Sequence, residues 1–157
     1  MKLKNETLSK NFLIYGFGKS GISSLKYLKK KNRCFIFDDD KKKIKNKYKK
    51  FFISKSKLLN NNFDYIVISP GININRCQLS NYLKKNQKKV ITDFDIFYKF
   101  NPEVLTITIT GTNGKSTTSK LLYDILKKHH YDTRLTGKYW KSYFRGKKSY
   151  QKYYLCY

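Results

Sequence analysis

The segment VLTITIT (residues 104–110) runs without a break into Gly111-Thr112-Asn113-Gly114-Lys115-Ser116, and apolar residues then recur at Leu121, Leu122, Ile125 and Leu126. The β-branched run favours an extended strand, and the helical spacing behind it, from Lys115 to His130, favours a helix. Strand, glycine-rich turn, Lys-Ser and helix, in that order, is the arrangement that holds a nucleotide triphosphate. The glycines let main-chain N–H groups converge on the turn, and the helix start adds the positive end of its dipole, which suits the segment to gripping phosphate. In that role Gly111, Thr112, Asn113 and Gly114 form the cradle and Lys115 reaches the β and γ phosphates of a nucleotide. Ser116 offers its hydroxyl to Mg2+, and Thr117 sits at the rim. The spacing departs from the usual G-x-x-x-x-G-K-[ST], whose first glycine would fall at Ile109; Gly111 gives a shorter loop.

A second glycine turn lies near the start. Residues 12–16 read as a short buried strand, Gly16-Phe17-Gly18-Lys19-Ser20-Gly21 fits G-x-G-x-x-G, and Ile22, Leu25 and Leu28 give residues 20–31 a helical period. Residues 34–37 read as the next strand, closed by Asp38, Asp39 and Asp40, with Asp38 twenty residues past Gly18. This is the layout of a Rossmann dinucleotide site, for which NAD is the default ligand. A turn whose glycines serve only tight helix–strand packing is the alternative.

Further on, the lysine-rich residues 41–50 read as a solvated loop or helix face, and residues 65–68 as a strand ending at Ser69-Pro70-Gly71. Residues 78–87 read as a helix and 90–92 as a strand. Asp93 is expected to cap a short helix through Phe97. Asp95 is expected to be solvated, so the two acids are not read as a catalytic pair. Asn101-Pro102 marks a boundary. Strands alternating with helices imply right-handed βαβ units and a parallel sheet. The expected fold class is α/β, with a Rossmann-like domain over 1–100 followed by the incomplete start of a P-loop ATPase domain over 101–137.

The formal charge of +25 raises a third reading, a basic nucleic-acid-binding protein. The 35 basic residues are 31 Lys and only 4 Arg, however, among many Asn, Ile, Tyr and Phe. These are residues of A+T-rich codons, whereas a phosphate-reading surface uses more Arg. No specific nucleic-acid partner is expected. The chain has no run of about eighteen apolar residues, and its first residues lack a secretory pattern, so neither membrane nor export is expected. Cys34, Cys77 and Cys156 form no metal or disulfide spacing, which suits a reducing cytoplasm. His129 and His130 follow two lysines at a helix end, where cations suit the dipole.

Taken in order, GFGKSG, the acid-tipped second strand, Ser69-Pro70-Gly71-Ile72, ITDFDIF (91–97) and ITGTNGKST (109–117) resemble the Mur ligases. The likeness extends over residues 10 to 137 and looks strongest to the branch that adds D-glutamate to UDP-N-acetylmuramoyl-L-alanine. GTNGKST is shared with folylpolyglutamate synthetases, which lack the N-terminal UDP domain. The resemblance implies that the first domain binds the uridine diphosphate of the substrate rather than NAD. Gly18, Lys19 and Ser20 would then face the diphosphate, Asp38 and Asp39 would lie near the uracil or ribose, and Ser69, Pro70 and Gly71 would border the cleft. It also implies ATP and Mg2+ at Gly111 to Thr117, and a cytoplasmic ligase of cell-wall peptidoglycan synthesis. That enzyme would use small-molecule substrates, form its amide through an acyl phosphate, and act as a monomer. Later metal ligands and an amino-acid-binding domain have no counterpart that can be placed here, so no catalytic residue is assigned and this chain alone is expected to be inactive.

After Gly137 the character changes. Residues 138–157 hold eight aromatics, six basic residues and no acid. Lys138 to Arg145 can be written AAA TAT TGG AAA TCC TAT TTT AGA. Removing one A gives Asn-Ile-Gly-Asn-Pro-Ile-Leu, a segment of the kind Mur ligases carry at this point. Trp140 forces the middle glycine. The expectation is an out-of-frame tail beginning at Lys138.

Overall fold

The first strand, β1 (Asn11–Tyr15), leads through the GFGKSG turn into α1 (Lys19–Leu28) and β2 (Arg33–Phe37). A 3-10 helix (Asn46–Phe51), α2 (Lys55–Leu59), β3 (Tyr65–Ile68), α3 (Ser80–Lys85), β4 (Val90–Thr92) and α4 (Asp93–Phe100) follow. The computed structural model describes residues 9–40, 42, 44–100 and 102–135 and the backbone of 152–156. Within it the chain divides into two compact units, Met1–Ile96 and Phe97–Tyr157.

In the first unit all strand pairs are parallel, in the order β2-β1-β3-β4. The register sets Tyr15 beside both Phe37 and Ile68, and Ile68 beside Thr92. The strands therefore end level, and the turns after β1, β2 and β3 meet at one edge of the sheet. Crossover connections between parallel strands require this, and open α/β sheets bind ligands at that edge. β1 is buried along nearly its whole length, as a strand covered on both faces should be. Leu13, Tyr15, Phe37, Ile53, Leu58, Phe63, Ile66, Leu79 and Leu83 pack as one core. Each such side chain contributes roughly 1.5–3 kcal/mol by leaving water.

Local chemistry sets the element ends. α1 stops at Leu28, whose carbonyl accepts from both the main-chain and side-chain N–H groups of Asn32. The lysine run is anchored more firmly than a solvated loop: Ile44 and Tyr48 are buried, and Tyr48 meets Phe17 edge-on at 5.0 Å. Asp93 is not the cap of α4. Thr92 Oγ1 accepts from the Asp95 N–H at 3.3 Å, while the Asp95 carboxylate accepts from the Thr92 N–H and hydroxyl at 2.7 and 2.8 Å. This is a capping box, and it leaves Asp93 inside, only 5% exposed.

The second unit holds β5 (Leu105–Thr108), α5 (Lys115–Lys128), β6 (Asp132–Leu135) and β7 (Lys152–Cys156) in a parallel sheet of order β5-β7-β6. Of the segment expected to be an out-of-frame tail, only the backbone of β7 lies within the described residues; it pairs with both neighbours. α5 ends with His130 in the left-handed region, at φ 62°, the C-terminal position usually given to glycine. Among the described residues no helix is long and apolar enough to cross a membrane.

Candidate functional site

Gly16 ends β1 at φ 89°, a conformation open mainly to glycine. Its N–H donates to the Phe37 carbonyl at 2.9 Å, and its carbonyl accepts from the Ser69 hydroxyl at 2.6 Å. Ser69 thus latches the turn after β3 onto the turn after β1. Pro70 and Gly71 are exposed just beyond it. Gly18 is the N-cap of α1 with no side-chain cap, and a Cβ there would meet nothing within 4 Å. The first turn of α1 is therefore open at the position where a ligand's backbone contacts would fall. Lys19 is exposed beside it, but Ser20 is not: it is buried, and its hydroxyl donates to Asp93 at 2.6 Å.

The three acids behind β2 divide their work. Asp38 is buried, with one oxygen accepting from the Phe17 N–H at 2.6 Å and the other from the Asp40 N–H at 2.9 Å. It shapes both turns. Asp39 is exposed and accepts from the Tyr15 hydroxyl at 2.7 Å. Burial above all, then bonds with Cys77 and Asp39, pushes the Tyr15 phenol above its ordinary range. A cleft of about 480 Å³ opens here, lined by Phe37, Asp38, Asp39, Asp40, Lys42, Lys55 and Gln78. The sequence reading brought Asp38 and Asp39 to this place but missed Tyr15, Lys55 and Gln78, which carry no motif.

In the second unit, Gly111 (φ 149°) and Gly114 (φ 77°) take conformations that side chains resist. Gly114 is the N-cap of α5, again with no side-chain cap. The Lys115 ammonium folds back to donate to the carbonyls of Gly111 and Thr112, and the Ser119 hydroxyl donates to the Lys115 carbonyl at 2.7 Å. Gly111 to Gly114, Ser116 and Thr117 are exposed. A cation over a glycine loop, an uncapped helix start and an exposed hydroxyl on its first turn suit a polyphosphate with its metal. Among the described residues no cluster of three His, Cys, Asp or Glu side chains could hold a metal by itself.

A parallel sheet with a G-x-G-x-x-G turn, followed by a second unit with a Gly-Lys-Ser turn, defines a Rossmann-like α/β protein with two loops of phosphate-binding type. More narrowly, residues 10–92 match the Mur ligase MurD-like N-terminal domain, and the chain belongs to that family. It is 32% identical over 131 residues to the UDP-N-acetylmuramoylalanine--D-glutamate ligase of Rickettsia bellii, covering 81% of this chain and 29% of that one. The enzyme of the same name from Caldicellulosiruptor bescii is 32% identical over 140 residues, covering 82% and 30%. That of Aquifex aeolicus is 36% identical over 117, covering 74% and 26%. The chain thus spans less than a third of the length of these curated relatives. A solved structure, the UDP-N-acetylmuramate:L-alanyl-gamma-D-glutamyl-meso-diaminopimelate ligase of Neisseria meningitides, superposes with a TM-score of 0.51 at 13% identity, covering 95% of this chain and 52% of that one. At that identity it supports the fold.

Proposed function

We propose that this chain holds the two nucleotides of a cytoplasmic ligase that joins D-glutamate to UDP-N-acetylmuramoyl-L-alanine for peptidoglycan. The observation that carries the reading is that α1 and α5 both start at a glycine with no side-chain cap, each reached from a strand through a glycine turn. At the first, the N–H groups of residues 18–20 and the Lys19 ammonium would meet the diphosphate. Asp39, at the mouth of the neighbouring cleft, would meet the ribose or uracil, while Asp38 and Ser69 hold the turns and Pro70 and Gly71 border the cleft. At the second, Gly111 to Gly114 would wrap the ATP phosphates, Lys115 would exchange its loop carbonyls for phosphate oxygens, and Ser116 would help hold Mg2+, with Thr117 at the edge. Bound Mg2+ supplies charge neutralisation for the phosphates. In the reaction the substrate carboxylate takes the γ-phosphoryl group, and the D-glutamate amine then displaces phosphate to form the amide. The groups described here bind and orient; for this chain alone, acting as a monomer, we propose nucleotide binding without turnover.

Calorimetry on the full chain with UDP-N-acetylmuramoyl-L-alanine, Mg·ATP and NAD tests the reading. The first two are expected to bind and NAD not to. Binding of NAD in preference to the UDP ligand would replace it with a dinucleotide-binding module.

A further inference from the structure

We infer that Asp93 is a positioning residue for the diphosphate turn: through Ser20 it fixes the first turn of α1, so that main-chain N–H groups, and not the Ser20 hydroxyl, meet the phosphates. The inference rests on the proposed UDP site and adds a residue to it.

Ser20 and Asp93 are 6% and 5% exposed, and their side chains meet at 2.6 Å across 73 residues of sequence. A serine hydroxyl has one hydrogen. Here it is spent on Asp93, so the hydroxyl has none left for a phosphate oxygen. Nor does α4 need Asp93 to begin, since Thr92 and Asp95 already cap it reciprocally. A buried carboxylate beside a site for an anion is costly by desolvation and by repulsion. Its compensation is mechanical. Gly18 offers the first turn of α1 no side-chain cap, and Gly16 and Gly18 leave the loop ahead of it open to many conformations. The Ser20–Asp93 bond braces that turn from the start of α4, and charge-assisted bonds of this kind are short and strong. An N–H cradle binds phosphate only while its groups stay convergent, so loosening the brace is felt as lost affinity.

The test is titration of the full-length chain with UDP, with Mg·ATP as the control ligand, for wild type, Asp93→Asn, Asp93→Ala, Ser20→Ala and the double variant Ser20→Ala/Asp93→Ala. Asp93→Ala and Ser20→Ala are each expected to weaken UDP binding about tenfold. The double variant should be no weaker than either single one, because both remove the same bond. Asp93→Asn keeps an acceptor for Ser20 and should stay within about twofold of wild type, or bind more tightly for loss of the charge. Mg·ATP affinity should not move. A Ser20→Ala loss with no Asp93→Ala loss would overturn the inference in favour of a direct hydroxyl–phosphate contact. So would equal UDP affinity in all five proteins, or an Asp93→Asn variant as weak as Asp93→Ala. If Asp93→Ala does not fold, amide hydrogen exchange of residues 18–21 in unliganded Ser20→Ala decides: faster exchange than in wild type is expected, and unchanged exchange alongside weaker UDP binding would overturn the inference. Failure of the wild type to bind UDP would sink the proposed function along with this inference, whereas equal binding by every variant would sink this inference alone.

Discussion

Replacing Gly21 with alanine probes the turn most directly. A Cβ at Gly21 would stand against the Gly16 carbonyl oxygen, well inside the 3.0 Å that real Cβ atoms essentially never breach, and only 3.2 Å from the carbonyl carbon. The obstacle is backbone, and it is tied down on both sides: the Gly16 N–H to Phe37 and the Gly16 carbonyl to the Ser69 hydroxyl. Either α1 must lift from β1 or the Ser69 latch must break. Overpacking of this kind costs roughly 1–3 kcal/mol, and a lost buried hydrogen bond adds about 1 kcal/mol. The better helix propensity of alanine returns about 1 kcal/mol, leaving a loss of roughly 1–3 kcal/mol. For a unit of this size that lowers Tm by roughly 4–24 °C. Gly18→Ala is the internal control. Gly18 has φ −79° and open space around it, so its Tm should stay within about 2 °C of the parent. Thermal unfolding of the full chain by circular dichroism reads both. A Gly21→Ala protein melting within about 3 °C of wild type would refute the packing argument.

Asp38→Ala should cost roughly 2 kcal/mol by stranding the Phe17 and Asp40 N–H groups, and urea unfolding that shifts by less than about 0.5 kcal/mol would contradict this. Ser24 is fully buried and its hydroxyl has no partner among the described residues, so Ser24→Ala should raise stability, by up to about 1 kcal/mol. A lower Tm would show that the hydroxyl has a partner. Burial pushes the Cys34 thiol from 9.0 up to about 12, so the folded state holds this proton more tightly than the unfolded chain. The resulting stability is complete below pH 9.0 and is lost as pH rises toward about 12; Cys34→Ala should flatten that limb in urea unfolding, and an unchanged slope would refute it.

Most of the first unit was legible because its signals are local. The β1 and β3 runs are apolar and bounded by glycine or proline, and G-x-G-x-x-G announces its own turn. What escaped depends on contacts distant in sequence. Nothing near Tyr48 says that it will close on Phe17, so the lysine run around it looked like a solvated surface. Asp93 stands where an N-cap is plausible. Only the meeting of α1 with α4 reveals that Asp95 and Thr92 do the capping while Asp93 turns inward to Ser20. Asp38 illustrates the opposite limit: the spacing marks it as an acid close to the turn, but spacing cannot show that both its oxygens are taken by main-chain N–H groups. In the second unit the glycine loop and α5 were readable, whereas β7, drawn from a basic and aromatic stretch without β-branched alternation, was not.

The proposed function requires two separate phosphate grips in one chain. Sequential titration of the same sample with UDP-N-acetylmuramoyl-L-alanine and then Mg·ATP, in wild type, Gly18→Ala and Lys115→Ala, measures them together. Two independent saturable events are predicted, with Gly18→Ala weakening only the first and Lys115→Ala only the second. A single event lost in both variants, or two events that neither substitution touches, would contradict it.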